Sequence, residues 1–192
     1  MSDLESMFCR TRLWRWFARR RIVPRVVHGS LGPRVLEIGC GSGAMAAEVL
    51  RLHPEITRYL ATDVDPAMVQ RAERELASFG DRVEARLVDA SGLPFDDDTF
   101  DTVCSWLMLH HTIEWEQVLA ESARVLKPGG ALVGYDLPDS RVNRGIHVLT
   151  RSRVRMIDPQ DLAQHLHVLG LSDIRVEPIP GTDAFGFSAV RP

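Results

Sequence analysis

Apolar and polar residues alternate along the chain in blocks that predict strands and helices by turns. Short apolar segments, most of them followed by small or turn-forming residues, predict strands at 34–38, 58–63, 82–89, 100–105 and 131–135. Apolar residues repeat at helical spacing between them, which predicts helices over 44–52, 65–80 and 115–126. A last helix over 158–169 precedes two strands near 174–177 and 184–190. This alternation predicts an α/β fold, in which helices cover both faces of an open, mostly parallel sheet.

Residues that start and stop helices support these boundaries. Asp65 and Asp158 each precede a proline, and that combination is typical of a helix N-cap and first turn. Gly80 and Gly170 stand where the apolar repeats end, as helix-terminating glycines do. The segment Lys127-Pro128-Gly129-Gly130 predicts a sharp turn before the fifth strand.

Residues 5–28 predict a basic amphipathic helix that ends near Pro24, ahead of the first strand. Positions 10 to 25 contain seven arginines and no acid, together with Leu13, Trp14, Trp16 and Phe17. Three interpretations are open. The aromatic side packs on the core with the arginines in solvent, the helix covers an active site, or it makes a weak contact with a membrane surface.

The bulk composition limits the function classes. A length of 192 residues predicts a single domain over 1–192, and the net charge of -3 gives no basic field that would indicate a nucleic-acid partner. Cys9, Cys40 and Cys104 are too few and too scattered for a disulfide framework or a metal site, so we expect no metal and a reducing, cytoplasmic location. No apolar run approaches the roughly 18 residues of a transmembrane span.

The ends of the predicted strands carry the candidate chemistry. In open α/β sheets, ligands bind beyond the carboxyl ends of the strands, where the strand order reverses. Gly39, Gly41 and Gly43 follow the first strand, and glycine lets the backbone approach a ligand closely. Asp63 ends the second strand, where a carboxylate can accept hydrogen bonds from ribose hydroxyls. The glycine spacing also fits the dinucleotide fingerprint, so these residues alone leave an NAD site open.

Five motifs in order, within residues 33–137, are more specific than the glycines. They are Val35–Gly43, Ala61–Met68, Asp89-Ala90 with Leu93–Phe95, Phe100–Ser105 with Leu109–His111, and Leu126–Gly130. Together they resemble the motifs of class I S-adenosylmethionine-dependent methyltransferases, above all the small-molecule enzymes of the methyltransferase domain 11 type. Glu37, two places before Gly39, belongs to that pattern and not to the dinucleotide one.

The resemblance implies a Rossmann-like, doubly wound sheet of seven strands, mostly parallel with an antiparallel last strand. It also implies S-adenosylmethionine as cofactor and S-adenosylhomocysteine as product. The loop of Gly39, Cys40, Gly41 and Gly43 would lie against the amino-acid and ribose parts of the cofactor, and Glu37 would fix this loop or the cofactor's ammonium. The other implied contacts are Asp63 with the ribose, Val64, Asp89 and Ala90 with the adenine, and Ser105 and Trp106 with the methionyl end.

Direct displacement by an acceptor needs a general base only if the acceptor must lose a proton. His110 and His111 follow the fourth strand and are the candidates, with His110 favoured; the alternatives are a hydrogen-bonded structural role or a pocket-shaping role. No Asn-Pro-Pro-Tyr-like tetrapeptide follows that strand, so we expect a small-molecule acceptor, with O, N and C all open as the methylated atom.

Several alternatives stay open on the sequence. The arginines at 141, 144, 151, 153 and 155 either recognise an acidic acceptor or lie in a solvated loop. An enzyme that binds S-adenosylmethionine without methyl transfer, of the cyclase or decarboxylase type, is compatible with the motifs, and so is a non-catalytic binding subunit. Monomer and homodimer are both compatible as well.

Overall fold

The computed structural model describes residues 16–140, 143 and 154–192, and a seven-stranded sheet forms its centre. The strands are β1 (Arg34–Ile38), β2 (Arg58–Asp63), β3 (Val83–Leu87), β4 (Phe100–Trp106), β5 (Leu126–Asp136), β6 (Ser172–Pro178) and β7 (Phe185–Val190). Their order is β3-β2-β1-β4-β5-β7-β6, and β7 runs antiparallel to both of its neighbours, whereas the other pairings are parallel. The predicted mostly parallel sheet with an antiparallel last strand is confirmed.

Helices cover both faces of the sheet, as predicted. A π-helical turn (Ala18–Ile22) leads into α1 (Val23–Val26), and the later helices are α2 (Ala44–Leu52), α3 (Pro66–Leu76), α4 (Trp115–Val125) and α5 (Pro159–Val168). Successive side chains of a strand point to opposite faces, so Val35 packs with α2 and Leu36 packs with α4 and α5. In the described ranges, no helix has the length and apolar character needed to cross a membrane.

The helix starts that the sequence predicts are confirmed by their hydrogen bonds. Asp65 accepts from the Ala67 N–H at 2.8 Å, and Asp158 accepts from the Gln160 N–H at 2.7 Å. One predicted end is wrong: α3 stops at Leu76, and a 3-10 turn (Ala77–Arg82) follows it. The turn has no fully buried residue, and Gly80 adopts φ of 60° and ψ of -139° within it, which interrupts the regular helix.

The start of β5 also differs from the prediction. The segment Lys127-Pro128-Gly129-Gly130 lies within the strand, where the pairing with β4 is irregular, and does not form a turn ahead of it. Gly129 adopts φ of 77°, and its N–H donates to the Arg191 carbonyl at 2.7 Å. The Arg191 N–H also donates to the Gly130 carbonyl at 2.9 Å. Because Arg191 follows β7 and is distant in sequence, the local pattern around Gly129 does not predict this pairing.

The N-terminal helix ends at Val26, near the predicted end at Pro24, which itself lies in the first turn of α1. Prolines are compatible with that position since its N–H has no helical partner. Ala18, Ile22 and Val26 are buried against the sheet. Positions 5–15 of the predicted helix lie outside the described residues.

The strand order places one crevice where ligands are expected. β1 and β4 are neighbours, and the chain proceeds from β1 to one side of the sheet and from β4 to the other. The connections on the two sides leave a crevice at the carboxyl ends of these strands. The loops that follow β1, β2, β3 and β4 therefore meet at one edge of the sheet.

Candidate active site

A cavity of about 230 Å³ lies at this edge. Most residues predicted for the site line it, namely Glu37, Gly39, Cys40, Gly41, Asp63, Val64, Asp89, Ala90, Trp106 and His111. Gly43, Ser105 and His110 do not. The structure thus gathers the ends of four strands around one cavity and leaves three of the predicted residues behind its wall.

The glycine loop uses its glycines for two purposes. Gly39 has φ of 65°, and a Cβ on it would lie 2.0 Å from Cγ of Met108, so a glycine is required for Met108 to pack there. Gly43 precedes α2 with φ of 78°, and a Cβ on it would lie 3.1 Å from Cα of Ala72. Gly39 therefore shapes the cavity wall, whereas Gly43 lets α2 approach α3.

Asp63, the last residue of β2, fixes the glycine loop. Its Oδ2 accepts from the Gly41 N–H at 2.8 Å, and its Oδ1 accepts from the Asp65 N–H at 2.9 Å. The Cys40 N–H donates to the Thr62 carbonyl at 2.8 Å. The loop and the end of β2 consequently form one hydrogen-bonded unit, with a carboxylate held in the cavity wall.

Glu37 is a buried acid with one unsatisfied oxygen. Its side chain lines the cavity, and the residue is only 1% exposed. Oε2 accepts from the Tyr59 hydroxyl at 2.8 Å, while Oε1 has no hydrogen-bond partner among the described residues. Burial raises the pKa of Glu37 to about 8, against the lowering effect of the Tyr59 hydrogen bond, and the charge of Asp63 raises it further. An acid in this state favours a ligand that brings a donor or a positive charge.

The loop after β3 offers a second exposed carboxylate. Asp89 Oδ1 accepts from the Ser91 N–H at 2.9 Å and from the Ser91 hydroxyl at 2.7 Å, and these bonds lower the pKa of Asp89. Ala90 adjoins it in the cavity wall. Val64, on the facing loop, is 68% exposed and presents an apolar surface at the rim. A carboxylate beside an apolar surface suits a flat heterocycle that carries an amine.

The other end of the cavity is apolar and aromatic. Trp106, at the end of β4, packs beside Tyr135 of β5 with 6.2 Å between the ring centroids, and both line the cavity together with Leu107 and Met108. Ser105 is fully buried within β4. Leu107, Met108 and Tyr135 were not predicted from the sequence, although their place at the ends of β4 and β5 was a usable signal.

The two adjacent histidines have different surroundings. His111 lines the cavity, whereas His110 is 1% exposed and lies behind the wall. The Nδ1 atom of His110 is 2.5 Å from Oδ1 of Asp136, the last residue of β5. His110 was the favoured base on the sequence, and Asp136 was not predicted as its partner. In this geometry only His111 of the two histidines can reach an acceptor in the cavity.

Leu107 makes the sharp bend that separates the two histidines from β4. It adopts φ of 60°, which is strained for a residue with a Cβ. Its N–H donates to the Tyr135 carbonyl at 2.8 Å, so β5 holds the bend. A 3-10 turn (Leu109–His111) follows directly.

Arg155 anchors the segment 154–157 beside this turn. Its guanidinium makes two bonds to the Glu116 carboxylate, at 2.6 and 2.7 Å, and lies 5.4 Å from the Trp115 ring centroid. Its backbone N–H donates to the His110 carbonyl at 2.8 Å. Arg155 is therefore engaged within the protein, while the arginines at 141, 144, 151 and 153 lie outside the described residues.

Comparison with known proteins fits this geometry. Residues 35–130 match the family described as "Methyltransferase domain". The chain belongs to this family. The match begins in β1 and runs through the glycine loop, Asp63, Asp89 and the histidines to the irregular start of β5.

Two curated relatives extend the match. The ubiquinone/menaquinone biosynthesis C-methyltransferase UbiE of Geobacter sulfurreducens is 31% identical over 137 residues, which are 69% of this chain and 52% of that protein. The demethylmenaquinone methyltransferase of Clavibacter sepedonicus is 36% identical over 122 residues, 64% of this chain and 46% of that protein. The chain thus spans about half the length of the curated relatives it matches.

Solved structures share the fold of this methyltransferase domain. A SAM dependent methyltransferase from Aquifex aeolicus has a TM-score of 0.78 at 20% identity, with 100% of both chains covered. Phosphoethanolamine N-methyltransferase 2 of Haemonchus contortus, in complex with S-adenosyl-L-methionine, has a TM-score of 0.75 at 18% identity, over 92% of this chain and 53% of that one. At such identities the likeness concerns the fold alone. Tyr135, Asp136 and Arg155 lie beyond the residues matched to the family.

Proposed function

We propose that this methyltransferase domain transfers the methyl group of S-adenosylmethionine to a small, apolar acceptor. The observation that carries the proposal is the cavity at the strand ends. Glu37, Asp63 and Asp89 stand at the ends of β1, β2 and β3 along one side of it, and an apolar, aromatic end adjoins them. The names of the curated relatives, which are methyltransferases of quinone biosynthesis, support the same activity.

The residues present suit the parts of this cofactor. The unpartnered Oε1 of buried Glu37 would accept from its ammonium, which removes an unsatisfied polar atom. Asp63 would accept from the ribose hydroxyls, and Asp89 from the adenine amine. Val64 and the Ala90 backbone would flank the adenine ring.

S-adenosylmethionine supplies a methyl group on a sulfonium, which is open to direct displacement by a nucleophile. The protein's own contribution is to orient the acceptor and to exclude water from the apolar end of the cavity. If the acceptor is a hydroxyl, its proton passes to the His111 imidazole as the oxygen attacks, and His111 then releases that proton to solvent. Leu107, Met108 and Tyr135 would surround the acceptor.

We also propose that the domain works in the cytoplasm. Cys40 and Cys104 are buried free thiols, which persist in a reducing compartment. His111 acts as a base in the proposed methyl transfer if the acceptor carries an ionisable hydroxyl.

The first test is the melting temperature of the pure protein with S-adenosylmethionine, S-adenosylhomocysteine or NADH. A ligand at 100 times its dissociation constant adds about 2.7 kcal/mol of stability, and each kcal/mol raises the melting temperature by about 2–4 °C at this size. We expect a shift with the two sulfur ligands and none with NADH. Asp63→Ala should reduce the shift, and Asp161→Ala, at an exposed acid of α5, should not.

The second test identifies the reaction. The protein is incubated with S-adenosylmethionine and a panel of phenols and hydroquinones, and S-adenosylhomocysteine is measured. Its acceptor-dependent release, with a product heavier by one methyl group, supports methyl transfer. Consumption of S-adenosylmethionine without release of S-adenosylhomocysteine indicates a cyclase or decarboxylase reaction. In the first test, a rise in melting temperature with NADH alone overturns the proposal.

A further inference from the structure

A buried pair of ionisable residues lies behind the cavity and has no part in holding the cofactor. Asp136 is fully buried and His110 is 1% exposed, and neither lines the cavity. Asp136 Oδ1 is 2.5 Å from His110 Nδ1 and also accepts from the Leu137 N–H at 2.7 Å. Its Oδ2 accepts from the His110 N–H at 3.4 Å.

This arrangement holds both side chains in place through hydrogen bonds. Burying a carboxylate is unfavourable unless donors surround it, and Asp136 has three. An ionised Asp136 only accepts, so it pairs with the Nδ1–H form of His110, and the imidazole cannot rotate without breaking that bond. The pair with a neutral imidazole therefore keeps one negative charge in the protein interior.

The His110 ring connects this charge to the cavity. The rings of His110 and His111 lie with centroids 4.1 Å apart at 40°, and it is His111 that lines the cavity. Backbone bonds fix the turn on both sides, from Arg155 N–H to the His110 carbonyl at 2.8 Å and from His111 N–H to the Met108 carbonyl at 2.9 Å. The His111 ring thus packs against the His110 ring, which Asp136 holds in place.

We propose, given the methyl transfer proposed above, that Asp136 and His110 are a positioning pair for His111. The pair orients the His111 ring toward the acceptor and stabilises the positive charge that His111 gains on taking the acceptor's proton. A carboxylate that holds an imidazole and stabilises its imidazolium form has this effect in hydrolytic triads through a direct hydrogen bond. Here it acts through the adjacent ring of His110, which is tilted against the His111 ring by 40°.

Other charges near His111 are separate from this pair. Glu37, Asp63 and Asp89 line the same cavity, and the Arg155–Glu116 ion pair lies beside the turn. A substitution of Asp136 leaves all of them in place. Asp136→Asn changes the charge behind His110 and keeps an oxygen that accepts from Nδ1, so its effect on His111 can be compared directly with the unmodified protein.

The test is an NMR titration of the full chain labelled with ¹⁵N-histidine, with ring signals assigned from His110→Gln and His111→Gln. We expect the proton of neutral His110 on Nδ1, and we expect the pH midpoint of His111 to move lower in Asp136→Asn, because an anion that favours imidazolium is gone. Asp161→Asn, at an exposed acid of α5, is the matched control and should leave that midpoint unchanged.

Two results would overturn the pair. One is a His110 proton on Nε2 with a bare Nδ1, which the unmodified protein alone can show even if Asp136→Asn does not fold. The other is an unchanged His111 midpoint in folded Asp136→Asn. Neither readout needs cofactor or acceptor, so this inference and the proposed methyl transfer can fail independently. With an acceptor in hand, Asp136→Asn should lower kcat by about tenfold or more with little change in KM.

Discussion

Replacing Glu37 by glutamine should remove a loss of stability that grows with pH. The glutamine oxygen can still accept from Tyr59, so the substitution removes the ionisation and keeps this hydrogen bond. Glu37 titrates near 4.5 in an unfolded chain, whereas burial raises its pKa to about 8 in the folded protein. Between these values the folded protein keeps a proton that the unfolded chain has released, so stability falls as pH rises.

The size of the effect follows from the two pKa values. A difference of one in pKa is worth about 1.4 kcal/mol, so the change from 4.5 to about 8 corresponds to about 5 kcal/mol. Little of this loss is present near pH 5, and all of it is present above pH 8. A constant offset is expected in addition, since the buried glutamine amide needs an acceptor, but that offset does not vary with pH.

The assay is urea unfolding of both proteins, followed by circular dichroism at several pH values from about 5 to 8.5 and extrapolated linearly to water. The stability of Glu37→Gln minus that of the unmodified protein should rise steadily over this range. The other titrating groups occur in both proteins and cancel in the difference, except those that interact with Glu37, as Asp63 does. A difference that is flat with pH would falsify the assignment of Glu37 as a proton-bearing acid in the ligand-free protein.

Ligand binding provides an independent check on the same residue. The positive charges of S-adenosylmethionine favour ionised Glu37, so binding near pH 7 should release a proton. Affinity should then rise with pH, by up to about tenfold per pH unit, until Glu37 is ionised in the free protein. Calorimetry in buffers of different ionisation heat measures the released proton, and Glu37→Gln should release fewer protons than the unmodified protein.

Two further substitutions test the loop and the anchor. Gly39→Ala should weaken S-adenosylmethionine binding and lower stability, because its Cβ displaces Met108. Gly170→Ala, at φ of 77° with open space around it, is the control and should lose only about 1–2 kcal/mol from the left-handed conformation. Equal losses for the two variants in urea unfolding would count against the clash at Gly39. Arg155→Lys cannot make both bonds to Glu116, so we expect a loss of about 1 kcal/mol and a melting temperature lower by about 2–4 °C. Adding Glu116→Gln to Arg155→Lys should change little, and an additive loss would contradict the pairing.

Local patterns predicted those parts of the fold that depend on local interactions. The apolar segment at β1 and the Asp65 and Asp158 caps are read from neighbouring residues, and the structure confirms them. The start of β5 was wrong because Pro128 and Gly129 indicate a turn when taken alone. Their place in the strand depends on bonds to Arg191, which is distant in sequence.

The candidate site also contains features that the local sequence predicts and features that depend on distant residues. Asp63 follows a strand and lines the cavity, as the rule for open sheets predicts. Which of His110 and His111 enters the cavity depends on the left-handed bend at Leu107, and no pattern predicts that conformation for a leucine. Asp136 lies beside His110 only because β5 pairs with β4 in the sheet. Pairings between strands decide these details, and a single sequence does not encode them locally.

The position of β7 has a consequence for synthesis on the ribosome. β7 lies between β5 and β6, so neither β6 nor the open edge of β5 has its partner until residues 185–190 have left the exit tunnel. The parallel core can assemble earlier, but it does so with the hydrogen-bonding edge of β5 exposed. Unpaired edges of this kind recruit other strands and promote aggregation. The time between emergence of β5 and emergence of β7 from the tunnel is therefore the interval in which a nascent chain would most need a chaperone.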